Sequence, residues 1–346
     1  MNLTSEMIKE RLALAGVYAS GIAAVAPVDE VEVHRYARWI SDGMNSGMEY
    51  MANHADLRRD PSLLLPGAVS LISCAFNYYH PLTWRHSLRW ARYALGRDYH
   101  EVVRERLQGV ASWLTSETGA ECRVCVDTAP LRERYWAVQA GVGFVGLNNQ
   151  LIIPGAGSHF FLGEILTTLP LVPDSPCRLD CGSCGKCLKA CPGKAIIPYS
   201  GVTDSDCARS QSFIDSSRCL SYLTIEHRGD FPEGSPRLGS HIYGCDVCQE
   251  VCPHNSNPPV TDIPEFIPRA EIVALDREAI SGMSQQEFSR IFTHSAVKRT
   301  KLAGLQRNNR AVNPQADVSA PQVDDSTPQE PRFDIDPSVT SPVGKI

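Results

Sequence analysis

Apolar residues recur at helical spacing in SEMIKERLALAG (5–16) and again, interrupted by glycines, from Val31 to Met51. VSLISCAFNYY, bounded by Pro66-Gly67 and Pro81, is a short apolar run and predicts a buried strand. DYHEVVRERLQGVASWLTSETG predicts a long helix, N-capped by Asp98 and closed near Gly119. CRVCVDTAP predicts a strand entering a turn. LRERYWAVQAG predicts a helix ending at Gly141, and SHFFLGEILTTLPL a second apolar strand. Strands alternating with helices imply an α/β (α+β) domain over residues 1–172.

The pattern then changes. Residues 173–259 are rich in Cys, Gly and Pro and poor in long apolar runs, a composition that folds around bound metal rather than a conventional core. Helical periods return over 260–312, where Ser284 and Glu287 have capping-box spacing. Residues 313–346 are polar, proline-containing and aperiodic, and are expected to form a disordered tail.

Hydrophobic residues make up 43% and charged residues 21% of the 346, as in ordinary globular proteins. No apolar run approaches the roughly 20 residues of a membrane helix, and the N-terminus lacks the apolar centre of a signal peptide. A cytoplasmic location without membrane contact is expected. Thirteen cysteines, ten of them between Cys177 and Cys252, therefore point to metal or redox chemistry and not to disulfides. The net charge of −6 argues against general polyanion binding. Two basic stretches remain candidates for a local nucleic-acid patch: Arg85, Arg89, Arg92 and Arg97, and Lys298, Arg299, Lys301 and Arg307. Solvated helix faces are the plainer reading of both.

Cys181-x2-Cys184-x2-Cys187-x3-Cys191-Pro192 has the spacing of a bacterial ferredoxin run, whose fourth cysteine serves the other of two cubanes. A second run, Cys245-x2-Cys248-x3-Cys252-Pro253, has Ile242 where a leading cysteine would stand. One four-iron–four-sulfur cluster would take Cys181, Cys184, Cys187 and Cys252. The other would take Cys191, Cys245, Cys248 and either Cys219 or Cys207. Two Cys-x2-Cys pairs also suit structural zinc, but the third cysteine and the Cys-Pro ending in both runs favour clusters. Cys74, Cys122 and Cys125 read as buried structural thiols, and Cys177 as a bystander. A phosphate-binding Gly-x4-Gly-Lys loop is absent. Asp98-Tyr99-His100 opens like a corrinoid-binding Asp-x-His-x-x-Gly motif, but Val103 replaces the glycine.

The stretches RRDPSLLLPGA, GRDYHEVVRERL, VDTAPLRERYWAVQAGVGFVGLNN, GSHFFLGEI, CGSCGKCLKACP, RCLSYLTIEHRG and HIYGCDVCQEVCPHN resemble epoxyqueuosine reductases, from the N-terminal helix to about Asn309. The resemblance implies a cobalamin-dependent oxidoreductase with two four-iron–four-sulfur clusters, similar in architecture to reductive dehalogenases. Its implied reaction reduces epoxyqueuosine to queuosine at the wobble position of tRNA. It also implies Cys219 as the eighth ligand, Asp127 as proton donor, and cobalamin contacts at Arg58, Leu151, Ile152, Ile153, Leu162, Ser221, Asp246 and Val247, with Asp127 itself at the cofactor. Leu147 stands where the family usually has lysine. The implied partners are a tRNA anticodon stem-loop and an external one-electron donor such as ferredoxin or flavodoxin, the enzyme acting as a monomer.

Two roles are open for Asp127: N-cap of the helix that follows, or general acid. The acid reading carries the expectation of a carboxyl pKa raised by burial. Rival readings are a corrinoid reductase of a small molecule and a ferredoxin-like electron carrier. The large N-terminal domain speaks against the carrier.

Overall fold

The computed structural model describes residues 3–84, 87–198 and 212–313. Arg85, Cys207 and the expected tail beyond Asn313 lie outside the described residues. The strands are β1 (Ala19–Ala24), β2 (Ser70–Asn77), β3 (Arg89–Trp90), β4 (Cys122–Cys125), β5 (Phe144–Val145), β6 (Leu151–Ile152), β7 (Phe160–Thr167), β8 (Ile196–Pro198), β9 (Ser212–Ile214) and β10 (His241–Tyr243). The helices are α1 (Ser5–Leu14), α2 (Glu30–Ser41), α3 (Ala55–Arg59), α4 (Tyr99–Thr118), α5 (Glu133–Gln139), α6 (Lys186–Ala190), α7 (Leu220–Ile225), α8 (Val247–Glu250), α9 (Ala270–Val273), α10 (Arg277–Gly282), α11 (Gln285–Ile291) and α12 (Lys301–Ala311).

The central sheet has the order β1-β2-β7-β4, and every pairing in it is antiparallel, the α+β form of the expected domain. β2 is buried along its whole length because both its edges are paired and both its faces are covered. Its two-residue alternation sends Ile72, Cys74 and Phe76 towards α4, with Val103, Leu107 and Leu114. Leu71 and Ala75 go to the other face, with Trp136 and Ala140. β1 lies so close to the end of α5 that a Cβ on Gly21 would stand 1.8 Å from the Ala140 carbonyl oxygen. The predicted caps hold: Asp98 accepts from His100 N, Gly119 closes α4 in the left-handed region, and Ser284 and Glu287 form a reciprocal capping box. Cys74 and Cys125 are buried strand thiols, as expected.

A second core forms around the C-terminal helices. Leu88, Trp90, Ala94 and Leu95 leave the sheet region and pack with Leu220, Ile242, Tyr243, Phe288, Phe292 and Leu305. β3 pairs in parallel with β10 there. A buried polar knot fastens α12 to this core. Asn308 Nδ2 donates to the carbonyls of Thr224 at 2.8 Å and Ile242 at 2.9 Å. Arg307 donates to those of Leu223, His227 and Gly229 and stands 4.3 Å over the Phe231 ring. Arg307 was a candidate for an RNA-facing patch and is instead 6% exposed, so it belongs to this knot.

Candidate active site and cysteine quartets

β4 ends at Cys125 and the chain turns sharply through Asp127, which takes a φ of 45°. Its N–H donates to Glu133 Oε1 at 2.5 Å, which holds the turn. α5 begins only at Glu133, and its N-cap position is Arg132, so Asp127 is not a helix cap. Its carboxylate turns the other way and meets His100 Nε2 at 2.8 Å. The second ring nitrogen, Nδ1, lies 2.7 Å from Asp98 Oδ1. The first turn of α4 thus sets one imidazole between two carboxylates. Tyr99 stacks on His100 at 4.0 Å and on Phe161 at 4.4 Å, which fixes this turn against the sheet.

The electrostatics correct the expectation of a raised Asp127. Burial disfavours its charge, but the hydrogen bond and positive charge of His100 outweigh burial and hold the carboxyl below its ordinary value. Burial also works against protonated His100, yet the two carboxylates push it up to about 9. Near neutrality the acid proton therefore rests on the imidazole, in contact with Asp127. Glu133 is pushed up to about 8 by burial and by the charge of Asp127.

Asp127 keeps 51% of its side chain accessible, and Arg134 is exposed, yet desolvation is the largest influence on both. Tyr50, Tyr93 and Tyr99 all feel the charge of Asp127, and Tyr93 also feels Asp246. Tyr93 thereby links the acid to one of the expected corrinoid contacts.

The other expected contacts are distributed as follows. The β4–β7 pairing ends with Cys125 opposite Glu164, so Asp127, two residues beyond β4, and Leu162, two residues before Glu164, lie towards the same end of the sheet. Phe160 and Leu162 share one face of β7 and remain half-covered, although the strand is central in its sheet. Leu151 and Ile153 are buried in the same apolar cluster, and Ile152 is fully buried. Asp246 is buried, accepts from Arg92 N at 2.7 Å and is pushed up to about 6, chiefly by burial. Ser221 and Val247 are half-buried beside Cys219 and Cys248. Arg58 stands on α3, where it donates to the Asn53 carbonyl and lines a cleft of about 270 Å³ with Tyr36, Ile40 and Arg132. A half-covered apolar strand face in an open recess fits a flat macrocycle, with the acid at its edge.

The cysteines gather as two quartets. Cys181, Cys187 and Cys252 are raised chiefly by burial; Cys252 also acts on Cys181 and Cys187, and Cys184 on all three. Cys191, Cys219, Cys245 and Cys248 form the second group; burial is the largest influence on Cys219, Cys245 and Cys248, and Cys191 acts on Cys219 and Cys245. Of the two candidates left open by spacing, Cys219 is the one among the described residues, and it stands with this group. Thiolates grouped so closely repel one another, and iron is the positive charge that compensates. Backbone N–H groups also point at the sulfurs: Leu147 N lies 3.4 Å from Cys181 Sγ, and Ala195 N 3.3 Å from Cys191 Sγ. Leu147 thus uses its main chain here, so replacement of the usual lysine leaves this contact intact.

Several other basic candidates are already engaged. Arg97 pairs with Glu101 and Glu105, Arg299 with Glu226, and Arg92 donates to the His80 carbonyl. Arg89, Lys298 and Lys301 are exposed. His100 and Glu133 carry no role in the sequence reading. The only signal for His100 was the incomplete corrinoid motif, and Glu133 gave none.

Residues 58–128 match the family described as "Epoxyqueuosine reductase QueG, DUF1730", and residues 180–255 match the "4Fe-4S double cluster binding domain". An epoxyqueuosine reductase of Cyclobacterium marinum is 37% identical over 90% of this chain and 97% of its own length. One from a Synechococcus is 39% identical over 90% and 94%. Among solved structures, an epoxyqueuosine reductase with an epoxyqueuosine-modified tRNA stem loop superposes with a TM-score of 0.76 at 31% identity, covering 88% of this chain and 79% of that one. The Streptococcus thermophilus enzyme gives 0.73 at 27% identity, covering 92% and 82%. No helix of the described residues is long and apolar enough to cross a membrane. With its fold, its paired cysteine runs and relatives matched over nearly their whole length, the chain belongs to the epoxyqueuosine reductase family.

Proposed function

We propose that this chain reduces epoxyqueuosine to queuosine at the wobble position of tRNA, with Asp127 and His100 as its proton-delivering pair. The observation that carries the assignment is the 2.8 Å contact between these residues, with Asp127 half-accessible, in a chain that carries both cysteine runs. Cys181, Cys184, Cys187 and Cys252 would hold one four-iron–four-sulfur cluster. Cys191, Cys219, Cys245 and Cys248 would hold the other. Leu162, Ser221, Asp246 and Val247 would meet the corrinoid in the recess, with backbone contacts from Leu151 to Ile153 and with Arg58 reaching it from α3. When bound, these cofactors supply single electrons at a potential low enough to open an epoxide.

Conversion of an epoxide to an alkene and water takes up two electrons and two protons. As the C–O bond breaks, His100 Nε2 passes its proton to Asp127 Oδ2 and Asp127 delivers it to the oxirane oxygen, because an unprotonated oxyanion leaves poorly. Asp98 holds the opposite ring nitrogen and keeps the imidazole oriented. The accessible side of Asp127 admits the second proton from water. The wobble base must leave its stack to reach this acid. A tRNA stem-loop as partner supports a location with the cell's tRNA, in the cytoplasm. In the direct test, anaerobically reconstituted protein is incubated with an epoxyqueuosine-containing stem-loop and a chemical reductant, and the nucleosides are read by mass. Queuosine is expected from the wild type. None from a chain carrying both clusters and corrinoid would refute the assignment.

A further inference from the structure

The two quartets differ in their surroundings. The second adjoins the recess through Asp246, which is buried next to Cys245 and accepts from Arg92 N at 2.7 Å. The two groups are neighbours: Leu147 N lies 3.4 Å from Cys181 Sγ, and the adjacent Asn148 Nδ2 donates to the Cys248 carbonyl at 3.3 Å. The first quartet faces outward at its far end, where Cys184 is exposed between Gly182 and Gly185, both with positive φ. Acid, recess, second quartet, first quartet and solvent therefore follow one another in that order.

The surface around Cys184 has the wrong sign for a chain of net charge −6. Arg178, Lys186, Lys189 and Lys194 are exposed there, and three of the seven lysines of the sequence fall within these nine residues, 186–194. Among the described residues none of these four cations pairs with a carboxylate; Lys194 Nζ donates to the Lys189 carbonyl at 2.9 Å. Asp180 is the one acid in the stretch, and its Oδ1 is taken up by Gly182 N at 2.6 Å. Leu179, 52% exposed, supplies an apolar centre. An apolar centre ringed by unpaired charge has the composition of a transient electron-transfer interface.

We propose that Arg178, Leu179, Lys186 and Lys189 form the docking surface for a small acidic one-electron carrier protein, which delivers its electron at the Cys184 edge. The inference rests on the cluster assignment made above. Because each epoxide takes up two electrons, a one-electron carrier docks twice per turnover and is oxidised each time. A polyanionic tRNA is the competing occupant of any basic surface. The order of groups favours the carrier, since this patch surrounds the outer quartet and the acid lies at the recess end.

The test uses reconstituted holoenzyme and the charge reversal Arg178→Glu/Lys186→Glu/Lys189→Glu, with the neutral set Arg178→Gln/Lys186→Gln/Lys189→Gln used in its place if the first loses iron. Reduced acidic flavodoxin is the carrier probe and dithionite the small reductant. Expected is a roughly tenfold or larger fall in flavodoxin affinity by calorimetry and in flavodoxin-driven turnover, with most of the salt dependence lost. Dithionite-driven turnover and stem-loop affinity should stay at the wild-type level. Unchanged flavodoxin affinity overturns the proposal, and so does weakened stem-loop binding with unchanged flavodoxin affinity, which would give the patch to RNA. A wild-type enzyme that fails even with dithionite would instead fault the function proposed above.

Discussion

His100 Nε2 and Asp127 Oδ2 lie 2.8 Å apart although 27 residues separate them, and each sets the proton affinity of the other. Asp127→Asn should keep both clusters and lose 10²–10⁴-fold in turnover, on the order of a few kcal/mol, the usual value of general acid assistance. Near wild-type single-turnover rates in Asp127→Asn would remove it from the mechanism.

The same pair sets a pH limit. His100 is raised above its ordinary value, so its proton is present at neutrality and is lost as pH rises through about 9. Turnover should therefore hold across the neutral range and fall on the alkaline side near that value, as a property of the pair. His100→Asn should remove this limb and lower the plateau. A wild-type profile flat to well above pH 9 would contradict it. The stability contribution has the same sign: it is complete below the unfolded histidine value and disappears as pH rises through the folded one.

Ligand assignment is open to iron analysis. Reconstituted protein should hold about eight iron per chain, from two cubanes. Cys219→Ala should reduce this to about four, and Cys177→Ala should leave it unchanged. The reverse pattern would displace Cys219 from the second quartet.

The knot at α12 predicts a stability effect at a site far from the acid. Asn308→Ala takes the side-chain donor from the buried Ile242 carbonyl, one of two donors from that of Thr224, and the acceptor Oδ1 from Arg307. Each unsatisfied group costs about 1–3 kcal/mol, so the melting temperature should drop by several degrees or more. Thr224 and Ile242 lie close in sequence to Cys219 and Cys245, so iron retention should fall with it. An unchanged melting temperature would mean that neighbouring groups replace the lost donor.

RNA affinity should depend on Lys298 and Lys301, which are exposed, and not on Arg307, which is buried. Lys298→Glu/Lys301→Glu should weaken stem-loop binding and flatten its salt dependence. Titrations at two salt concentrations would decide this, and equal affinities for variant and wild type would move the footprint elsewhere.

Period and punctuation made much of this fold legible in advance. β2 and β7 follow from apolar runs between turn residues, α4 from Asp98 and Gly119, and α11 from the Ser284–Glu287 pair. Seven of the eight cluster cysteines follow from spacing, since tight loops around a cubane demand it. The eighth did not, because Cys219 precedes its quartet partner Cys245 by a long intervening chain. The role of His100 was hidden for a related reason: a histidine near a helix start is ordinary until the fold brings Asp127 to it. Arg307 was misread because a basic stretch in sequence looks solvated, and nothing local announces that backbone carbonyls surround it. The expected pKa of Asp127 failed on the same omission, burial having been counted without the imidazole.

The packing of Leu88, Trp90, Ala94 and Leu95 against Leu305 has a consequence for synthesis. A ribosome makes these apolar residues early and must add more than two hundred others before α12 can cover them. Domains usually fold as they emerge, from the N-terminus onward. Here the sheet can close early, while the Trp90 region waits uncovered for the last helix. The nascent chain thus carries an uncovered apolar segment through most of its translation. Expression of residues 1–172 alone would keep that segment permanently exposed, so the N-terminal part is not a fragment that can be produced by itself.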